Sequence, residues 1–531
     1  MIPFRVALGL SFGAVLAGLG FGPSLLPRAW ETQAVLSGVL FGIGYLPGYA
    51  LGGLGLLKSK RWSAWVLVGP VALLLMASYL GAKWNEQSRQ LIDLGPGPSG
   101  WGAKSVFGSL LLGLALVGLF HLSIWVLGAV FKRLEHRLGH PRLVAALLCV
   151  VVLTGFSVSR RAVIRHLANS INELHAGKNQ ETEEGVSQPS LPTLGGSPPS
   201  LVSWESLGEK GRTFVATAPS KREISEFFGA PAKDPIRAYA AVLTAEDLPE
   251  RVDLAVKDLK RAGGFQRKVL VVITTTGTGW VDELGVLPLE YMHGGDTASV
   301  AVQYSYLPSV FSFIADRTRA RRAGQLLFER VYHEWEDLPE EERPLLLSFG
   351  ESLGSYGTEA AFPEVKLFLK RSDGALLVGP PNANPIWQEA MSRREPGTPV
   401  VLPIVGDGAV VRFARRPDDL EKPTTEGGHP RAVYLQNSSD PIVWWSPSVW
   451  WKKPLWLREP PGPDVNPAMT WIPLVTFLQV SADYLEARAP DGHGHRYGTL
   501  PVYAWGKIAP PEGWTEERAR SLAALIEKRY R

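Results

Sequence analysis

Five long apolar runs fill the first third of the chain: Phe4–Leu26, Ala34–Leu57, Ser63–Gly81, Phe107–Phe131 and Leu143–Ser159. Each is close to the ~20 residues a helix needs to cross ~30 Å of hydrocarbon, so each predicts a membrane span. Tyr45-Leu46-Pro47-Gly48 predicts a kink or break in the second run. The first is long for the apolar core of a signal peptide, and no small-residue cleavage pattern follows it. His121 lies inside the fourth run and predicts a hydrogen bond between packed helices; Gly52-Gly53-Leu54-Gly55 predicts close helix contact. Charged residues are almost absent from the runs, which argues against a transporter or proton relay. Lys and Arg are nearly balanced at the two sets of span ends, so orientation is weakly specified. Five spans starting from a cytoplasmic N-terminus put the C-terminal region outside the cytoplasm.

Beyond the runs the pattern changes. Residues 1–165 read as a transmembrane domain and 166–203 as a flexible linker. The linker holds Gln180-Glu181-Thr182-Glu183-Glu184 and Gly195-Gly196-Ser197-Pro198-Pro199, too polar and too rich in Gly, Pro and Ser to build a core. Residues 204–531 alternate strand and helix patterns. Ile236–Thr244, Lys268–Thr274, Ser299–Tyr304, Leu345–Phe349 and Arg431–Leu435 read as strands, and Leu248–Ala262, Arg319–Trp335 and Thr515–Tyr530 as helices. Buried strands separated by helices predict a mostly parallel sheet covered on both faces. The expected architecture is an N-terminal α-helical transmembrane bundle followed by a C-terminal α/β domain.

Composition narrows the function classes. The net charge of +4 is too small and too scattered to argue for a nucleic-acid partner, and none is expected. The single cysteine, Cys149, lies in an apolar run, so an intramolecular disulfide and a Cys-based zinc site are both excluded.

The candidate chemistry begins at Leu345-Leu346-Leu347-Ser348-Phe349-Gly350-Glu351-Ser352-Leu353-Gly354. A buried strand runs into Gly350-x-Ser352-x-Gly354, and a helix-compatible segment, Ser355–Phe362, follows. That is the strand, sharp turn and helix of a nucleophile elbow. A serine needs a base, and the base needs an orienting acid. Asp440 follows the strand Arg431–Leu435 in an Asp-Pro turn and is the candidate acid, with Asp464, Asp483 and Asp491 as rivals. Gly492-His493-Gly494-His495 offers two candidate bases; each follows a glycine, so the local pattern does not choose between them, and the reading leans slightly to His493. An H-x-H pair supplies two metal ligands at most, too few for a zinc site. An oxyanion hole needs two backbone N–H groups: Leu353 after the nucleophile, and Thr276 or Gly277 after the strand Lys268–Thr274. The loop Thr275–Trp280 lacks the lysine of a phosphate-binding P-loop. Trp444, Trp445, Trp450, Trp451 and Trp456, beside Lys452 and Lys453, suit a lipid-facing lid or pocket wall as well as an aromatic core.

Taken together, these motifs resemble the bacterial integral-membrane α/β-hydrolases catalogued as α/β-hydrolase family 9, which join a multi-span N-terminal region to a catalytic domain. The resemblance is carried by Pro23-Ser24-Leu25-Leu26-Pro27-Arg28, Thr275-Thr276-Gly277-Thr278-Gly279-Trp280-Val281-Asp282, Val302-Gln303-Tyr304-Ser305-Tyr306-Leu307-Pro308-Ser309, Gly350-Glu351-Ser352-Leu353-Gly354-Ser355, Gly379-Pro380-Pro381-Asn382, Ser439-Asp440-Pro441-Ile442-Val443-Trp444-Trp445 and Gly492-His493-Gly494-His495. It implies an α/β-hydrolase domain and a membrane serine hydrolase, with Ser352, Asp440 and His493 or His495 as triad and no cofactor. It also implies membrane lipids as substrate: lipid esters, including aminoacylated glycerolipids. An acyltransferase using the same triad, and a non-catalytic membrane scaffold with a hydrolase-like domain, are the alternatives.

Overall fold

The computed structural model describes residues 3–54, 65–151, 154, 177–307, 317–362, 364–423, 429–487 and 489–530. The chain packs as two units that do not follow its linear order. One holds residues 1–166, 438–441 and 445–495; the other holds 167–437, 442–444 and 496–531. The boundary expected after residue 165 therefore does not leave 204–531 as one body, because 438–441 and 445–495 pack with the N-terminal helices.

In the first unit the helices are α1 (Phe4–Leu19), α2 (Trp30–Gly53), α3 (Trp65–Leu91) and α4 (Trp101–Leu138). Among the described residues, α2, α3 and α4 are long and apolar enough to cross a membrane. The first expected span is shorter than predicted: α1 ends at Leu19 with Gly20 as its cap, and Pro23 follows. At 1.5 Å per residue its 16 residues reach only about 24 Å. Of the kink or break expected at Pro47, no break occurs: α2 runs through that proline as one helix. In the fifth expected span a short apolar helix covers Pro141–Val151; most of the remainder, like residues 55–64, lies outside the described residues.

Glycines let α1 and α2 touch backbone to backbone. A Cβ on Gly48 would sit 2.6 Å from the Leu8 carbonyl oxygen, and one on Gly44 2.7 Å from that of Phe12. A Cβ on Gly52 would sit 2.5 Å from Arg5 Cα, the close contact expected there. His121 Nε2 meets the Tyr45 hydroxyl at 2.5 Å, the expected inter-helix bond.

The late segment docks on these helices and the loop after α1 through polar bonds. Asn466 Nδ2 donates to Trp84 O at 3.2 Å, and Gln479 Nε2 donates to Gly22 O at 3.0 Å. Asp483 accepts from Ser24 Oγ and from Leu25 N. Val475 shares a small core with Leu36 and Leu40.

The second unit is built on β1 (Ile236–Ala240), β2 (Val269–Thr274), β3 (Thr297–Val302), β4 (Leu345–Glu351), β5 (Gly374–Val378), β6 (Val411–Ala414) and β7 (Ala432–Leu435). They form one parallel seven-stranded sheet in the order β1-β3-β2-β4-β5-β7-β6. Every strand residue is buried apart from Leu345, as a sheet covered on both faces requires. Two helix groups supply the cover. Leu248–Arg261, Thr318–Glu336 and Leu353–Ala360 pack in one, and Glu283–Met292, Leu500–Ile508 and Glu516–Tyr530 in the other.

Where the sequence predicts a solvated tether, the described part of it lies along the sheet edge. Leu194 bridges to Arg237 of β1; Gly195 N donates to Arg237 O at 2.8 Å, and Arg237 N to Thr193 O at 3.2 Å. Ser200 Oγ and Leu201 N both donate to the Asp258 carboxylate. Backbone pairing to an edge strand needs no apolar side chain, so a polar, Gly-rich composition does not forbid it.

Candidate active site

Ser352 stands where β4 gives way to the helix Leu353–Ala360. Its φ of 53° and ψ of −125° lie in a region that side-chain-bearing residues rarely occupy. Holding it there costs about 1–3 kcal/mol, which the surrounding fold must offset. Ser352 N donates to Val378 O at the end of β5 at 2.8 Å, while Ser355 N and Oγ both donate to Ser352 O. The flanking glycines are steric requirements. A Cβ on Gly350 would lie 2.6 Å from Gly354 O, and one on Gly354 would collide with the Thr274 carbonyl.

The helix behind Ser352 is braced by a buried polar chain that local sequence patterns do not reveal. Ser355 Oγ accepts from Asn384 Nδ2 at 3.2 Å, and the same amide donates to Glu359 Oε1 at 2.9 Å. Glu359 also accepts from the Tyr434 hydroxyl of β7 at 2.8 Å and from Ile386 N at 2.7 Å. Burial nevertheless pushes the Glu359 carboxyl up to about 7. Its position in the elbow helix makes it a brace for the turn rather than a reacting group.

Sheet register places the expected oxyanion loop beside this turn. β2 and β4 are neighbours with Thr274 opposite Gly350, so Thr275–Gly279 leaves the sheet next to the strand that ends at Ser352. Gly279 at φ 88° closes the loop; Tyr239 OH donates to Gly279 O and Gln303 Nε2 to Thr278 O, both at 2.7 Å. Of the two expected donors, Thr276 is engaged inside the loop, its N–H donating to Trp280 O at 3.0 Å. Leu353 is the first residue of the elbow helix, where backbone N–H groups have no intrahelical partner.

The first unit holds Asp440 and both histidines. His495 Nδ1 lies 2.7 Å from Asp440 Oδ2, and a carboxylate accepts, so the ring nitrogen facing it is the donor. Asp440 is fully buried, and the His495 side chain is 14% exposed. The slight sequence preference for His493 is not followed. His493 Nδ1 is 3.6 Å from Asp464 Oδ2 and its Nε2 is 3.6 Å from Asp93 Oδ2, so it sits between two other carboxylates. Asp464, a rival for the acid, instead accepts from Ser439 N at 3.2 Å and Ser439 Oγ at 2.5 Å. Ser439 Oγ in turn accepts from Gly494 N at 2.9 Å. The residue before Asp440 is thereby tied to the residue before His495. Asp483 is spent on Ser24 and Leu25, and Asp491 is exposed. Burial together with the Asp440 charge pushes the Tyr484 hydroxyl up from its ordinary value.

The tryptophan cluster divides. Trp444 and Trp456 are buried, and Trp444 Nε1 donates to Asn437 O. Trp450 and Trp451 are 50% and 67% exposed. No group of three His, Cys, Asp or Glu side chains among the described residues could hold a metal ion.

Residues 236–522 match the model of an alpha/beta-hydrolase family, and residues 21–219 match the model of that family's N-terminus. These are the C-terminal and N-terminal parts of the family 9 likeness seen in the sequence. No curated protein and no solved structure matches the chain.

Proposed function

Because the chain belongs to this alpha/beta-hydrolase family, we propose that it is a membrane-anchored serine hydrolase that cleaves lipid esters through Ser352, His495 and Asp440. The observation that carries this reading is the pairing of His495 with Asp440 at 2.7 Å in a chain whose Ser352 has the backbone of a nucleophile elbow. Ser352 Oγ attacks the ester carbonyl carbon, and its proton passes to His495 Nε2. Asp440 holds the Nδ1 proton and stabilises the imidazolium that forms. The amides of Leu353 and Gly277 receive the negative charge that develops on the carbonyl oxygen. Collapse breaks the C–O bond, the departing alcohol takes the proton from His495, and water repeats the sequence on the acyl-enzyme.

A lipid substrate is supported by three helices of membrane-crossing length and by the exposed Trp450 and Trp451. Such rings suit the boundary between hydrocarbon and water. Aminoacylated glycerolipids are the first esters to assay. The test is fluorophosphonate labelling of the full chain in native membranes. Labelling of the wild type that vanishes in Ser352→Ala is the expected result. Equal labelling of both, or none of the wild type, overturns the mechanism.

A further inference from the structure

The first unit contains a cavity of about 400 Å³ that the chemistry above does not use. It lies where α1 ends and α2 begins, against the loop after α3. One wall is apolar: Leu26, Ile92 and Ala489 form a small core of their own, with Leu94 packed on it. The other lining is charged, with two arginines, Arg28 and Arg89, and two glutamates, Glu31 and Glu486. Their formal charges cancel.

Arg28 is only 5% exposed. Its Nη2 donates to Gly22 O at 2.8 Å, and its Nε is 3.9 Å from Asp483 Oδ1, beyond hydrogen-bond reach. Nη1 is buried with no hydrogen-bond partner among the described residues. A buried guanidinium nitrogen left unmade costs about 1–3 kcal/mol or more, and Arg28 carries that cost at the cavity wall, with the Asp483 carboxylate behind it. Arg89 is partly exposed and tied through Nε to Gly95 O at 2.8 Å. Glu486 accepts from Ala29 N and Thr32 Oγ1, which fixes its carboxylate at the start of α2.

We propose that this cavity binds a zwitterionic lipid headgroup, with its phosphate against Arg28 and Arg89 and its ammonium against Glu31 and Glu486. Charge matching carries the choice. A purely anionic headgroup would meet two carboxylates, and a purely cationic one two guanidiniums; a phosphate next to an ammonium meets both signs. The apolar wall of Leu26, Ile92 and Leu94 takes the first carbons of the glycerol and acyl chains. The position agrees, because the cavity lies where α2, a helix of membrane-crossing length, begins. The site rests on the membrane reading above and is independent of the Ser352 chemistry.

The test uses the full chain in detergent, with lipid retention read by native mass spectrometry. The probes are phosphatidylethanolamine, phosphatidylcholine, phosphatidylglycerol, diacylglycerol and water-soluble glycerophosphoethanolamine. Phosphatidylethanolamine should be retained most tightly. Arg89→Gln and Glu31→Gln should each weaken it about tenfold, the loss of one charged contact. Both variants should keep fluorophosphonate labelling at Ser352, which shows that they fold. Weaker binding of glycerophosphoethanolamine than of the lipid confirms the apolar wall; equal binding overturns that part of the proposal. Retention indifferent to headgroup, or a preference for phosphatidylglycerol untouched by Arg89→Gln, overturns the whole. A chain that purifies without detergent overturns the membrane reading instead, and an unlabelled wild type that still selects phosphatidylethanolamine overturns only the hydrolase.

Discussion

Replacing Glu359 with Gln should remove a pH dependence of stability that the wild type carries between mildly acidic and neutral pH. Burial raises the Glu359 carboxyl from 4.5 to about 7, despite hydrogen bonds from Asn384, Tyr434 and Ile386 that favour the ionised form. Between those two values the folded chain holds a proton that the unfolded chain has released. Stability therefore falls as pH rises through this window, and it is fully present only below the unfolded value. At 1.36 kcal/mol for each pH unit, the shift amounts to roughly 3 kcal/mol across the window.

Gln is isosteric but cannot titrate. It presents an amide to one set of partners, an offset of about 1 kcal/mol that is the same at every pH. The slope is thus the quantity to compare. Asp483, raised by burial to about 6, tilts stability in the same direction, but it does so in both proteins and cancels in the difference. Hydrogen exchange of the β4 and β5 amides in one detergent, from about pH 4 to about pH 8, reads the unit that contains Glu359. The wild type should lose about 3 kcal/mol relative to Glu359→Gln over that range. A difference that stays flat with pH refutes the reasoning, and so does one that rises.

His495→Ala should lower esterase turnover by about three orders of magnitude or more, whereas His493→Ala should cost less than about tenfold, measured as kcat on a chromogenic ester. Ser439→Ala cuts the tie between Asp464 and Gly494, so it should lower kcat about tenfold or more with KM little changed, and Ser439→Thr should restore much of it. Equal losses for the two histidine variants would assign the base to neither.

Strands with continuous apolar runs were legible: β2 and β4 were expected within a residue or two, because Val-Leu-Val-Val-Ile and Leu-Leu-Leu have no other economical use in a polar stretch. β5 and β6 were not expected. Gly374-Ala-Leu-Leu-Val378 and Val411-Arg-Phe-Ala414 are short and become strands through pairing with residues far away. At the candidate site, the flanking glycines and the Asp-Pro turn were readable because each local conformation demands its residue type. The choice between His493 and His495 was not, since both follow a glycine and only the fold brings one of them to Asp440. Glu359, Asn384 and Tyr434 left no local signal for the same reason: they meet across three separate elements.

The way the late segment is seated has a consequence for any attempt to isolate the catalytic region. Asp440 and His495 belong to a unit whose remaining support comes from the first 166 residues. A fragment beginning at residue 167 removes the Ser24, Leu25 and Arg28 partners of buried Asp483, the Gly22 carbonyl that Gln479 reaches, and the Trp84 and Ser88 acceptors of Asn466. Each buried group left unmade costs about 1–3 kcal/mol, and exposing Val475 and its neighbours adds to that. The sum is comparable to the 5–15 kcal/mol that typically hold a folded protein together. The fragment should therefore keep its sheet but lose the ordered loop that carries His495. Measured by circular dichroism and fluorophosphonate labelling, it should retain strand signal while Ser352 goes unlabelled. A soluble fragment labelled at the rate of the full chain would mean that the N-terminal helices hold the protein at its substrate and contribute nothing to the geometry of the acid and base.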